Sequence, residues 1–174
     1  MLFRSILGAD SAGTAGYDRT IRKDRKVFTN GELIFGFTSS FRMGQLLEFN
    51  LSPPPINEGQ EAYNYAVKSL IPAIRDTLRS GGYTSTNNGR EEGGIFLVGF
   101  RGRLFRIDSD FQVGESAINV ESVGCGEAYA LGAMHALKEA EPMERLQAGL
   151  EAAATFSAGV AGPFHFVELP VKAA

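Results

Sequence analysis

The sequence predicts a single α+β domain over residues 1–174, a four-layer αββα sandwich in which two antiparallel sheets face each other and helices cover their outer sides. The chain has 174 residues, enough for one buried core and too few for two ordinary domains. Short glycine-containing turns join neighbouring apolar runs, a pattern typical of β-hairpins. Strands and helices come in blocks rather than in regular alternation, which favours antiparallel sheets over a doubly wound parallel sheet.

The first strands are predicted from short apolar runs. Leu2–Ala9 is short and apolar, and residues 10–16 have the composition of a turn or loop. A hairpin follows, with strands at 26–29 and 32–37. Asn30-Gly31 between these two runs favours a two-residue type I′ turn.

Helices are predicted after this hairpin. Ser39 or Ser40 is placed to cap a helix over Phe41–Phe49. Apolar and small residues from 62 to 78 follow helical spacing. Pro72 lies inside that pattern and predicts a kink or a split in the helix.

The second half of the chain repeats the order of hairpin and helix. A polar stretch at 84–94 is predicted as a flexible surface loop. The elements predicted after it are strands at 94–100 and 104–108, a strand at Ala117–Val123, a helix over Glu127–Ala140, a helix starting at Pro142 and a closing strand at 165–169.

Composition excludes several classes of function. A net charge of −3 and a pI near 5.5 give no electrostatic basis for binding nucleic acid or an anionic membrane. No apolar run approaches the roughly 20 residues that span a bilayer, and the N-terminus lacks the pattern of a secretory signal. A single cysteine fits a reducing compartment, so we predict a cytoplasmic location. Two histidines without a Cys/His cluster argue against a zinc site, and no motif calls for a cofactor.

Asp10 and Lys26 form the first candidate site. They are separated by 16 positions and each lies at the edge of a predicted strand. A lysine held by an aspartate can lower the proton affinity of a neighbouring nucleophile. The alternative is a solvated loop aspartate and a hairpin lysine that never meet.

Cys125 is the second candidate. It lies between Gly124 and Gly126 where a predicted strand leads into a helix, and a cysteine at a helix N-terminus can have a depressed pKa. His135 or His165 is the candidate base for such a nucleophile. The alternative is a small residue selected for close packing at the start of the helix.

Three stretches of this chain resemble proteasome β-type subunits and, among them, the bacterial HslV peptidase, which are N-terminal-nucleophile hydrolases. Residues 7–11 resemble the family's first strand ending in Ala-Asp, and residues 26–39 resemble the segment with its lysine, its Asn-Gly turn and its Gly-Phe strand end. Residues 123–131 are similar to the Gly-Ser-Gly motif that opens a helix. The resemblance extends over nearly the whole chain except residues 51–92.

The resemblance implies a role for each candidate residue. Asp10 and Lys26 would be the charge pair that activates an N-terminal threonine. The backbone N–H near Ser39 would stand at the oxyanion position, where the family usually has glycine. Cys125 would replace a serine that hydrogen-bonds near the terminal amine.

Residues 152–159 match the family pattern less completely than the three stretches above. Ser157-Ala158-Gly159 resembles the family's Ser-Gly turn. The aspartate that many active subunits carry just upstream has no counterpart among Ala152-Ala153-Ala154-Thr155. The complete activating network of the family is therefore not expected in this chain.

The start of the sequence departs further from the family pattern. In active members the nucleophile lies about as far before the aspartate as the lysine lies after it, whereas nine residues precede Asp10 here. Met1 has neither hydroxyl nor thiol, and Ser5 is too close to Asp10 for a hairpin to return it to Lys26. We therefore expect this chain as written to lack the nucleophile-bearing first strand, through a late start codon, a broken gene or genuine loss. The lost strand would leave a sheet edge open and favour self-association.

These observations support three functional hypotheses. The first is a subunit of a self-compartmentalising threonine-type peptidase that acts on peptides or unfolded proteins. Such a subunit would self-associate into a ring, and an unfoldase ATPase is its candidate partner. The second is a non-catalytic ring or scaffold subunit of the same fold. The third is an unrelated hydrolase that uses Cys125 with His135 or His165.

Overall fold

The computed structural model describes residues 5–169. Every strand pair in this part of the chain is antiparallel. The strands are β1 (Ser5–Ala9), β2 (Ala12–Ala15), β3 (Asp18–Ile21), β4 (Val27–Asn30), β5 (Leu33–Phe37), β6 (Ser85–Asn87), β7 (Arg90–Glu92), β8 (Phe96–Phe100), β9 (Arg103–Ile107), β10 (Val113–Glu115) and β11 (His165–Leu169).

The helices lie in two groups along the chain, one between β5 and β6 and one between β10 and β11. Wide π-helical turns at Leu46–Asn50 and Ala66–Leu70 continue two of them. The helices are α1 (Phe41–Gln45), α2 (Ala62–Tyr65), α3 (Ile71–Ser80), α4 (Glu127–Ala136) and α5 (Pro142–Phe156). None of the helices within residues 5–169 is long and apolar enough to cross a lipid bilayer.

A five-stranded sheet with the order β10-β9-β8-β5-β4 forms the centre of the molecule. Beside it lies a two-stranded sheet of β1 and β11, in which Ser5 pairs with Leu169 and Ala9 with His165. The small hairpins β2-β3 and β6-β7 complete the strand pairs. The predicted combination of helices with antiparallel sheets is therefore confirmed.

Alternating residues of β5 enter two different cores. Phe35 and Phe37 face a large apolar cluster shared with the helices of residues 41–80, whereas Ile34 faces a second cluster. β8 behaves in the same way, since Phe96 faces the first cluster and Leu97 the second. Both strands are buried on both faces, which explains why they read as continuous apolar runs rather than as alternating ones.

The second cluster joins the two sheets. Its buried members come from β1, β4, β5 and β8, and Val167 of β11 packs against them. On the far side of β1, α5 approaches so closely that a Cβ on Gly8 would lie 3.0 Å from a methyl carbon of Leu150. α4 and α5 share a third cluster that includes Met134 and Ala153.

The first hairpin forms as predicted, but its turn is shifted by one residue. Asn30 pairs with Leu33, so the turn consists of Gly31 and Glu32, and Gly31 takes the positive φ of 61°. Asn30 remains a strand residue because its side-chain amide donates hydrogen bonds to the carbonyls of Leu47 and Leu51, at 3.0 and 2.9 Å. The hairpin is thereby tied to the wide turn that follows α1.

The predicted helices form with altered ends. Ser40, rather than Ser39, is the N-cap of α1, and this helix passes into the π-helical turn at Leu46–Asn50. The split predicted at Pro72 occurs as the turn Ala66–Leu70, and Pro72 then lies in the first turn of α3, where its missing N–H costs nothing. α4 ends at Ala136, four residues earlier than predicted.

Three predictions of irregular or extended structure are wrong. Residues 10–16, predicted as a turn or loop, contain β2, which pairs with β3 directly after them. Residues 84–94, predicted as a flexible loop, contain the hairpin β6-β7. The strand predicted at Ala117–Val123 is absent, and the short β10 pairs with β9 instead. The predicted first strand begins at Ser5 within the described residues, and Leu2 lies outside them.

Candidate active site

Asp10 and Lys26 meet in the folded chain. The Lys26 Nζ donates a hydrogen bond of 2.6 Å to Asp10 Oδ1. The lysine and aspartate side chains are only 14% and 12% exposed, so the pair is largely shielded from solvent. The structure thus favours the paired interpretation over the alternative in which the two residues never meet.

Backbone amides hold the second oxygen of the Asp10 carboxylate. Oδ2 accepts hydrogen bonds from the N–H groups of Ala12, at 2.9 Å, and Ala161, at 3.1 Å. The neighbouring Ser11 donates its N–H to the Ala161 carbonyl and its hydroxyl to the Pro163 carbonyl. These bonds fix the carboxylate between the end of β1 and the segment before β11, so that its other oxygen points at Lys26.

An aromatic ring and a second ion pair lie beside Lys26. Its Nζ is 5.8 Å from the centre of the Phe41 ring, and the Arg22 guanidinium stacks on the same ring at 3.9 Å. Arg22 binds Asp24 through two nitrogens, which raises the pKa of Arg22 and lowers the pKa of Asp24. The Arg22 charge is therefore neutralised locally, and Asp10 is the carboxylate in contact with Lys26.

All four residues singled out from the sequence border one cavity of about 840 Å³: Asp10, Lys26, Ser39 and Cys125. Its walls come from β1, from the Thr38–Phe41 loop, from residues 118–126 and from the α4–α5 pair. Spacing in sequence could not show that Ser39 and Cys125 reach the same space as the Asp10–Lys26 pair.

The loop that carries Ser39 has a strained backbone. Ser39 has a φ of 71°, in the left-handed region that glycine tolerates best. The loop touches the glycine-flanked turn, because a Cβ on Gly124 would lie 2.9 Å from the Thr38 hydroxyl oxygen. Gly124 itself has a φ of 106°, so glycine is required there on both counts.

Cys125 is exposed and sits in a closely packed turn. Its carbonyl accepts a hydrogen bond of 3.3 Å from the Ser157 hydroxyl, and a Cβ on Gly159 would lie 3.0 Å from its Sγ. Neither His135 nor His165 is among the residues that line the cavity. These contacts fit the close-packing interpretation better than a Cys–His nucleophile. Within residues 5–169, no group of three or more His, Cys, Asp or Glu side chains is arranged to hold a metal ion.

Ser5 lies at the opposite end of β1 from Asp10. Its hydroxyl donates a 3.4 Å hydrogen bond to the Arg103 carbonyl, and five residues of strand span about 16 Å. The Ser5 hydroxyl is therefore too distant to contact Lys26.

Arg106 fixes the turn around Cys125, and no sequence pattern pointed to this role. Its Nη1 donates to the Ser122 carbonyl at 3.2 Å and to Glu127 at 2.7 Å. Its Nε donates to Asp108 at 2.9 Å. Arg106 thus connects β9 to both ends of the segment that contains Cys125, and only the tertiary structure reveals this.

The fold is that of the HslV-like, proteasome-type peptidases, as the sequence resemblance implies. No protein-family model matches the sequence, and no curated protein matches it. Among solved structures, the chain is similar to Thiobacillus denitrificans BPH in complex with epoxomicin, with 19% identity over 98% of this chain and 95% of that chain and a TM-score of 0.79. It is also similar to eukaryotic HslV from Trypanosoma brucei, with 16% identity over 97% and 94% of the two chains and a TM-score of 0.68. Anbu (ancestral beta-subunit) from Yersinia bercovieri has 16% identity, covers 95% of this chain and 77% of its own, and gives a TM-score of 0.60.

Proposed function

We propose that this chain is a subunit of an HslV-like peptidase in which Asp10 and Lys26 activate a nucleophile carried on a strand outside residues 5–169. The observation that carries the proposal is the shielded 2.6 Å contact between these two side chains at a cavity. Two backbone N–H groups hold the Asp10 carboxylate in one orientation, which supports a role in positioning Lys26. The similarity to HslV-type structures supports the same class.

Each residue has a definite part in this proposal. The Lys26 ammonium lowers the proton affinity of a nearby hydroxyl or amine, and Asp10 keeps that ammonium charged and oriented. A backbone N–H of the loop at Ser39 stabilises the oxyanion. The Cys125 turn, held by Ser157 and Arg106, shapes the wall facing this loop.

We also propose the full four-layer αββα arrangement. The helices of residues 41–80 share a cluster with the five-stranded sheet, that sheet shares a cluster with β1 and β11, and α5 packs on β1. This order of contacts supports the succession helix, sheet, sheet, helix.

Self-association into a ring, unfolded polypeptide as substrate, an unfoldase ATPase as partner and a cytoplasmic location complete the proposal. The similarity of the fold to HslV-type structures supports the ring, and the sequence resemblance to the family motivates the other three. Native mass spectrometry tests the ring: a closed oligomer of one size supports it, and a monomer at every concentration contradicts it.

A non-catalytic ring or scaffold subunit is the second candidate. Two observations favour it: the Lys26 contacts described above are to Asp10 and Phe41 rather than to a hydroxyl or thiol, and Ala152–Thr155 offers no carboxylate. A stable ring that does not hydrolyse fluorogenic peptides would support this second candidate over the peptidase.

Turnover of fluorogenic peptides tests the catalytic proposal. The gene is expressed together with the reading frame upstream of Met1, and the unaltered protein is compared with Lys26→Met. We expect at least a 100-fold loss of kcat/KM in the variant, with an exposed Lys23→Met substitution as the matched control. Turnover that survives Lys26→Met, or an upstream frame without Thr, Ser or Cys, would contradict it.

A further inference from the structure

Two Asn-Gly pairs of this chain differ in how the asparagine side chain is held. They are Asn30-Gly31 and Asn88-Gly89. Asparagine is among the thermolabile residues of proteins. Its side-chain carbonyl carbon can be attacked by the backbone nitrogen of the next residue, and glycine leaves that nitrogen unshielded because it carries no Cβ.

The surroundings of the two glycines do not distinguish the pairs. Gly31 and Gly89 both have a positive φ, of 61° and 79°, and each lies in the turn of a hairpin. A Cβ built on either glycine would meet no atom within 4 Å. A difference in reactivity between the pairs would therefore come from the asparagines.

The side chain of Asn30 is held in one position. It is half-buried, and its amide nitrogen donates hydrogen bonds to the carbonyls of Leu47 and Leu51, at 3.0 and 2.9 Å. Both hydrogen bonds must break before the side-chain carbon can turn toward the Gly31 nitrogen. The fold therefore opposes attack at this pair.

The side chain of Asn88 is not held in this way. Asn88 is exposed, and all of residues 85–90 around it are exposed as well. Its side-chain amide makes no hydrogen bond to any residue between 5 and 169. Its backbone has a φ of 49°, a left-handed conformation that asparagine tolerates better than most residues. The side chain is thus free to rotate toward the Gly89 nitrogen.

We infer that Asn88 is a site of spontaneous deamidation and that Asn30 is protected from it by its two hydrogen bonds. The Gly89 nitrogen loses its proton and bonds to Cγ of Asn88, and the side-chain nitrogen leaves as ammonia. Water then opens the resulting five-membered ring at either carbonyl. One product is aspartate, and the other is isoaspartate, in which the main chain continues through Cβ and Cγ. Water is the only co-reactant, so the reaction is independent of the proposed peptidase activity.

An isoaspartate at position 88 would disrupt the β6-β7 hairpin. It adds one carbon to the backbone of a two-residue turn, and that turn sets Asn87 opposite Arg90. Residues 85–92 contain no apolar side chain that could restore the pairing. The hairpin is attached to α3 by the ion pairs of Glu91 with Arg75 and Arg79. Loss of the turn should therefore release the hairpin from α3.

Peptide mapping of the aged protein tests the inference. The purified chain is incubated in mildly alkaline buffer, where the backbone nitrogen loses its proton more readily, and is then digested with trypsin. Asn88 falls in the peptide of residues 80–90 and Asn30 in the peptide of residues 27–42. We expect the acid at position 88 to accumulate at least 10-fold faster than the acid at position 30. Equal rates, faster conversion of Asn30 or an amide that persists at position 88 would overturn the inference.

The same measurement in urea separates protection by the fold from the reactivity of the dipeptide. Denaturation removes the hydrogen bonds of Asn30, so the two sites should convert at rates within about threefold of each other. A 10-fold difference that persists in urea would contradict the protective role of these hydrogen bonds.

Hydrogen exchange tests the effect on the hairpin. The isoaspartate form is purified by chromatography and compared with the unaltered chain. Asn88→Asp is the matched control, because it introduces the same charge without lengthening the backbone. We expect protection factors at residues 85–92 to fall at least 10-fold in the isoaspartate form and to change little in Asn88→Asp. Unchanged protection in the isoaspartate form, or an equal loss in Asn88→Asp, would contradict the disruption of the turn.

Discussion

Two adjacent serines have opposite effects on the backbone of the loop before α1. Ser39 occupies the left-handed region at a φ of 71°, while Ser40 has an extended backbone and caps the helix. The Ser40 hydroxyl accepts hydrogen bonds from the N–H groups of Arg42 and Met43. Ser39 therefore has a strained backbone at the candidate oxyanion position, and Ser40 supplies a hydrogen-bond acceptor to N–H groups at the start of the helix.

Ser39→Gly should stabilise the fold by about 0.5–1 kcal/mol, because glycine removes the cost of the left-handed conformation but adds freedom to the unfolded chain. Ser40→Ala should destabilise it by about 1 kcal/mol through loss of the cap. Urea denaturation of the two variants measures both effects. A destabilising Ser39→Gly would show that the serine side chain matters more than its backbone strain.

Asp10→Asn should destabilise the protein by about 1–3 kcal/mol, because it leaves the shielded Lys26 ammonium without a compensating charge. The matched control is Asp24→Asn, whose exposed pair with Arg22 is worth at most about 1 kcal/mol. Equal losses in the two variants, measured by urea denaturation, would mean that the Asp10–Lys26 pair is an ordinary surface ion pair.

Among the elements, the β6-β7 hairpin is attached to the rest of the fold by ion pairs rather than by buried apolar side chains. Ser85–Asn87 is exposed, and the hairpin is connected to α3 through Glu91, which accepts hydrogen bonds from Arg79 and Arg75. The bonds from Arg79 and then Arg75 lower the pKa of Glu91 from 4.5 to about 2. The hairpin should therefore detach in acid before the core unfolds.

A carboxyl with a lowered pKa in the folded state stabilises that state above its unfolded pKa, and the contribution disappears as the pH falls. For Glu91 this loss should occur between about pH 4.5 and 2. The protection factors of residues 85–92, which are exchange rates corrected for the intrinsic rate at each pH, should decrease as the pH falls over this interval. Glu91→Gln should already show the low protection factors at pH 7, and unchanged protection in that variant would refute the anchoring role.

Elements with strong local determinants could be predicted from the sequence. The hairpins at Val27–Phe37 and Phe96–Ile107 have apolar strands with glycine at the turn, and Ser40 and Pro142 mark the starts of helices. The polar hairpins β2-β3 and β6-β7 have no apolar pattern and were not predictable.

Ala117–Val123 illustrates the opposite failure. Its residue pattern is that of a strand, but a strand forms only where a neighbour supplies hydrogen bonds. The candidate site shows the same division: the spacing of Asp10 and Lys26 left their pairing open, and the resemblance to the family implied it. Tertiary structure alone contributes the Ala161 N–H and Arg106.

At the scale of the whole molecule, the candidate site lies where separate parts of the fold meet. The end of β1, the loop before α1, the Cys125 turn and the segment before β11 all border or support the Asp10–Lys26 pair. The two sheets share one apolar cluster, and α4 with α5 closes the other side of the cavity. The fold therefore places a shielded charge pair at the wall of a cavity that β1, the loop before α1 and the α4–α5 pair enclose.

A double-mutant cycle in peptide hydrolysis tests most directly whether Asp10 and Lys26 act as one activating unit. Turnover is measured for the protein expressed with its upstream reading frame, for Lys26→Met, for Asp10→Asn and for the double variant. We predict that the double variant loses little more kcat/KM than Lys26→Met alone, because Asp10 acts through the lysine. Losses that multiply independently, or full activity in Lys26→Met, would contradict the account.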